Sequence, residues 1–202
     1  MFVSAILLAG GRTRRAGRPR ALDETGGRSA VAAVAEMLLR TCADEVVIVL
    51  GKRIADSNPN LPTGPRIRII ADPEHVEKER ALLRVGLDAA HPDTTMYLIH
   101  RVDGPSLSTP AVNRILAHYL RGGRPIAVLV HGVGLEYPVL VSRRLREELI
   151  EPGQGNWLRC LIERDPSRFL VLRVDPRGAV RPVPTFAARA AAAFRRAPEK
   201  AD

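Results

Sequence analysis

Apolar runs too short to be helices alternate with segments of helical periodicity, and no other feature limits the possible folds of this chain as strongly. Residues 2–8, 45–50, 66–71, 96–102 and 126–130 are β-branched or aliphatic runs of strand length. Between them, residues 28–40, 76–90 and 109–120 carry apolar residues at helical spacing. Val31, Val34, Ala35 and Leu38 share one helical face, and so do Ala81, Leu82, Val85 and Ala89. The third segment opens on Ser108 or Thr109 as cap, with Pro110 in its first turn. Near-continuous apolar strands separated by helices predict an α/β fold, a mostly parallel sheet with helices on both faces in a three-layer sandwich.

The pattern changes after residue 130. Residues 138–142, 143–150, 157–164 and 169–174 read as strand, helix, helix and strand, and residues 186–196 as an alanine-rich closing helix. Residues 52–65 are polar, hold three prolines and read as a surface connection. The stretch 152–155 is the best hinge, too short to separate domains, so one domain is expected over 1–196 with a disordered tail at 197–202. A chain of 202 residues buries roughly 70% of its unfolded surface and needs no staples. Cys42 and Cys160 cannot build a disulfide framework or a four-ligand zinc site, and inert buried thiols are expected. No apolar run reaches 18 residues, and residues 1–8 lack the basic leader and cleavage pattern of a signal peptide. The expectation is a cytoplasmic chain without membrane partners.

The net charge is +9, and all but three of the 31 basic residues are arginine. A general arginine bias accounts for most of it. Part is local, with Arg12, Arg14, Arg15, Arg18, Arg20 and Arg28 set against Asp23 and Glu24. An arginine excess points to polyanionic partners: nucleotides, phosphorylated cofactors or nucleic acid. With 4% aromatic residues there is no basic–aromatic stripe for single-stranded nucleic acid, which makes nucleic acid the weakest of the three. The arginine-rich segment begins Leu8-Ala9-Gly10-Gly11-Arg12-Thr13-Arg14-Arg15, directly after the first strand. Paired glycines there bring backbone N–H groups close to a ligand, and arginines supply bidentate phosphate contacts. The spacing fits neither a P-loop nor the GxGxxG fingerprint.

The string from Leu8 to Arg20 resembles the signature of the MobA-like nucleotidyltransferases, LAGG, x, Ser/Thr, x, Arg, Met/Phe, Gly, x, Pro/Asp, Lys. Leu8, Ala9, Gly10, Gly11, Thr13, Arg15, Gly17 and Pro19 match it, whereas Ala16 and Arg20 depart from it. Residues 44–51, Asp72-Pro73 and Leu83-Arg84-Val85-Gly86-Leu87 extend the likeness. The molybdenum cofactor cytidylyltransferases are the nearer branch, on Gly17-Arg18-Pro19-Arg20-Ala21-Leu22. The resemblance implies a Rossmann-like sandwich of the nucleotide-diphospho-sugar transferase type. It also implies that Leu8, Ala9, Gly10, Gly11, Arg12, Thr13 and Arg15 hold a nucleoside triphosphate, with Arg20 in the position of the lysine that steadies the α-phosphate.

Asp103, in Val102-Asp103-Gly104-Pro105, stands at the end of the fourth strand, where an acid can hold Mg²⁺ on a phosphate. It matches the family's Asp-x-Pro, whose Asp binds the metal, although a plain turn aspartate has the same look. His100 and Arg101 interrupt an otherwise apolar strand, and surface exposure is expected for both. Three departures weigh against ordinary catalysis. Glu77-Lys78-Glu79-Arg80-Ala81 stands where the family has a Gly/Ser-rich segment, Glu136-Tyr137-Pro138 replaces Gly-His-Pro, and Pro182-Val183-Pro184-Thr185-Phe186 replaces an Asp-rich stretch. Glu136 or Asp175 could stand in as a second metal ligand. Asn156 is a plausible cap, and the lone Trp157 reads as core or lid packing.

The resemblance therefore implies an enzyme that passes NMP from an NTP, with CTP the nearest fit, to a phosphate on a molybdopterin-like precursor, releasing pyrophosphate. The alternative is a catalytically degenerate relative that keeps the fold and binds a nucleotide or cofactor as a scaffold.

Overall fold

A strand apolar on both faces has to be covered on both faces, and Phe2–Ala9 (β1), buried at every residue after Phe2, lies well inside the sheet. The computed structural model describes residues 1–10, 14–15, 18–25, 27–72, 79–131, 134–151, 156–175 and 178–183. The other strands of the main sheet are Glu45–Gly51 (β2), Ile67–Asp72 (β3), Thr94–Arg101 (β4), Ile126–His131 (β5), Gly134–Ser142 (β6), Phe169–Val174 (β7) and Val180–Pro182 (β8). Their order across the sheet is β8-β7-β5-β6-β4-β1-β2-β3. Parallel ladders join β1 to β2 and β4, β2 to β3, and β5 to β7. Only β6 and β8 run against the rest of this sheet.

Helices Ala30–Leu39 (α1), Lys52–Asp56 (α2), Glu79–Ala89 (α3), Thr109–Gly122 (α4), Arg146–Ile150 (α5) and Trp157–Arg164 (α6) cover the two faces. The period of two along β1 sorts its side chains between them. Ala5, Leu7 and Ala9 join one apolar layer with Val31, Leu38, Ile54 and Ile115. Ile6 and Leu8 join the other with Leu83, Leu87, Leu149 and Leu161. Helix α3 lies especially close to the sheet, because a Cβ on Gly86 would stand 2.5 Å from Cγ2 of Ile6.

The caps follow the sequence. Ser108 accepts a hydrogen bond from the Ala111 N–H, and α4 ends at Gly123 in the left-handed region with φ of 63°. Asn156 accepts from the N–H groups of Leu158 and Arg159 at the start of α6. Four expectations need correcting. The connection over 52–65 opens with α2, held down by the fully buried Ile54. Residues 143–145 form a 3₁₀ turn, so only Arg146–Ile150 is α-helical there. Val180–Pro182 adds an edge strand that its proline and brevity concealed. Cys42 is exposed, and Cys160 is half-buried. Cys42 follows the end of α1, where its N–H donates to Asn113 Oδ1 at 2.9 Å. The expected hinge at 152–155, the helix at 186–196 and the tail at 197–202 lie outside the described residues.

The strand order positions a site. From β1 the chain steps outward to β2 and then β3, while β4 returns to the opposite side of β1. Succession thus reverses between β1 and β4, and in open α/β sheets ligands bind in the crevice beyond the carboxyl ends at that point.

Candidate functional site

Both sequence signals converge on this switch point. Leu8 is in register with Arg101, and the Val102 N–H donates to the Leu8 carbonyl at 3.1 Å. The start of the glycine loop at Leu8, Ala9 and Gly10 therefore runs beside the segment that leads to Asp103. Gly11, Arg12 and Thr13 lie outside the described residues. Beyond them the chain doubles back in a short ladder that pairs Arg14 with Pro19 and Arg15 with Arg18. Arg20 opens a 3₁₀ turn, Arg20–Leu22, and its side chain is exposed. Ala21, 1% exposed, anchors that turn in the α1-side layer.

Asp103 is held by a neighbour that the sequence reading had turned outward. Arg101 Nε donates to Oδ1 of Asp103 at 2.8 Å, and Nη2 donates to Oδ2 at 2.6 Å. The third nitrogen, Nη1, donates to Oε2 of Glu79 at 2.8 Å, at the first residue of α3. The other Glu79 oxygen, Oε1, accepts from the Tyr137 hydroxyl and from Trp157 Nε1, the latter at 2.7 Å. The guanidinium carbon also stands 5.6 Å from the centre of the Tyr137 ring. Five residues, on β4, the turn after it, α3, β6 and α6, thus form one hydrogen-bonded network beyond the end of β4.

Burial of Arg101 opposes its charge, but the hydrogen bond to Asp103 and the carboxylate of Glu79 prevail and hold its pKa above the ordinary value. Burial, reinforced by Glu79, pushes the Tyr137 hydroxyl well above its usual range and keeps it a proton donor. Surface exposure was the wrong expectation for His100, which is 1% exposed. It lies two residues from Leu98, on the face that α1 and α4 cover. Its Nδ1 accepts from the Arg101 N–H at 3.0 Å. Burial lowers its pKa to about 4 against the opposing pull of Asp103, so the ring is neutral near pH 7. The Asp-Gly-Pro turn also needs its glycine, since a Cβ on Gly104 would stand 2.8 Å from Cε1 of the His100 ring.

Among the described residues no divalent-metal cluster is assembled. Both Asp103 oxygens accept from Arg101, and no three His, Cys, Asp or Glu side chains among the described residues gather around a common point. Asp175 cannot complete such a site, because β7 lies three strand spacings from β4, roughly 14 Å. Its carboxylate is used within its own turn, accepting from the Ala179 N–H at 2.8 Å. The side chain of Glu136 lies outside the described residues. Glu79, Arg101 and Tyr137 are functional candidates that sequence reasoning missed. The available signal was the spacing of Arg101 and Asp103, two residues apart at a strand end. Trp157 was read correctly as a packing residue, and it also donates a hydrogen bond.

The eight-stranded, mostly parallel sheet with helices on both faces is an α/β domain of the nucleotide-diphospho-sugar transferase fold, shared with the solved structures that it resembles. The chain belongs to the MobA-like NTP transferase domain family, which matches residues 5–169. No curated protein matches the chain by sequence. Among solved structures it is similar to the manganese complex of Rv0371c from Mycobacterium tuberculosis, with 21% identity and a TM-score of 0.71 over 86% of this chain and 88% of that one. The Rv0371c homolog from Mycobacterium sp. strain JC1 shares 25% identity, with a TM-score of 0.72 over 96% and 93% of the two chains. A nucleotidyl transferase from Methanothermobacter shares 23%, with a TM-score of 0.69 over 85% and 87%. No helix among the described residues is long and apolar enough to cross a membrane.

Proposed function

We propose that the cleft between the ends of β1 and β4 binds a nucleoside triphosphate and that the chain transfers its NMP to a phosphate on a small acceptor, releasing pyrophosphate. The observation that carries this reading is the register that sets the start of the glycine loop beside the β4 end, at the switch point. Backbone N–H groups of Gly10 and Gly11, with Arg12, Thr13 and Arg15, meet the phosphates. Arg20 supplies the positive charge at the α-phosphate. Such chemistry is mostly positioning and electrostatic stabilisation, so it needs donors and cations more than a general base. CTP and a molybdopterin-like acceptor are the substrates that the loop's resemblance favours. Mg²⁺ is the natural counter-ion of a triphosphate, bound largely by phosphate oxygens and water.

The closed Arg101–Asp103 pair favours a second reading, in which the site binds nucleotide without turnover. Pyrophosphate release separates the two. In the first reading, Arg20→Ala lowers the rate by about 100-fold with little change in affinity, the scale of one preorganised donor. Arg20→Lys holds activity. Binding without release in both wild type and Arg20→Lys, with any NTP and a molybdopterin-like acceptor, establishes the second reading.

A further inference from the structure

Arg101 is fixed on several sides. Its fork meets both oxygens of Asp103, its remaining nitrogen meets Glu79, and the Tyr137 ring lies beside the guanidinium. The Asp103 side chain is only 9% exposed, and the Arg101 side chain 31%. Glu79 is itself positioned by Tyr137 and Trp157. A planar fork of this kind matches a carboxylate better than any other side chain does. A hard divalent cation needs about six oxygen ligands, and at Asp103 it would also meet the repulsion of the adjacent guanidinium.

We propose that Arg101 is the resident counter-ion of Asp103, so that the protein has no standing divalent-cation site at the end of β4. Arg101 lies between two carboxylates, and its removal leaves Asp103 and Glu79 facing a common gap, which creates a cation site. The inference concerns the protein without nucleotide and does not depend on nucleotidyl transfer. Its failure would leave the proposed function untouched.

The test is titration of the full chain with Mn²⁺ alone, followed by calorimetry and by the electron paramagnetic resonance signal of free Mn²⁺. Wild type should show no Asp103-dependent binding. Arg101→Met should bind Mn²⁺ at least about tenfold more tightly than wild type, and adding Asp103→Asn should abolish the gain. Circular dichroism reports whether Arg101→Met is folded. A folded Arg101→Met with no gain overturns the proposal. Mn²⁺ binding by wild type that disappears in Asp103→Asn overturns it as well, and that comparison needs no Arg101 variant.

Discussion

His100 and Arg101 are consecutive on β4, and the alternation of a strand sends them to opposite faces. His100 goes under α1 and α4 and loses its charge, whereas Arg101 goes to the cleft and keeps its charge by pairing with Asp103 and Glu79. The buried histidine has a consequence for stability. Its pKa is about 4 in the native state and 6.5 without burial, so between those values the unfolded chain holds a proton that the native chain does not. Stability is intact above pH 6.5 and falls as the pH drops through that window, by about 3 kcal/mol in total. Urea unfolding of wild type and His100→Gln at pH 7 and pH 4.5 checks this. Wild type should lose more stability than the variant, and parallel losses would contradict it. Asp103 was legible from its place before Gly-Pro. Its partner was not, because an arginine in a strand can face either solvent or a carboxylate, and the decisive acid, Glu79, lies 22 residues away in sequence.

At the scale of elements, α3 links the core to the cleft. Gly86 lets it press on β1 and β2, and Glu79 at its first residue anchors the network around Arg101. A methyl at Gly86 would meet Ile6 at 2.5 Å and Val49 at 3.1 Å, and both side chains are fully buried. Overpacking of this kind costs roughly 1–3 kcal/mol, and the helix-propensity gain of alanine offsets at most about 1 kcal/mol. Gly86→Ala should therefore lower the urea midpoint, and an unchanged midpoint would show that α3 has slack against the sheet. At α4, Ser108→Ala removes the acceptor for the Ala111 N–H and should cost about 1 kcal/mol by the same measurement. Both features were visible in the sequence as a glycine within a helical pattern and a serine before Thr-Pro. The closeness of α3 was not visible, since it depends on which strands the helix crosses.

For the whole molecule, the alternation of strands and helices was enough to read the class of fold, because apolar runs of strand length must be buried on both faces. Strand order was not readable in the same way. The sequence placed β6 after β5, but the fold inserts β6 antiparallel between β4 and β5, a non-local pairing that no local pattern encodes. The central claim concerns the cleft that this order creates between β1 and β4. It is tested most directly by calorimetric titration of CTP and GTP, with Mg²⁺ present, into wild type and Gly11→Ala. Saturable binding of at least one nucleotide by wild type, weakened about tenfold or more in a folded Gly11→Ala, is the predicted result. Equal affinity in the two proteins, or no binding by wild type, would contradict a triphosphate cradle at the end of β1.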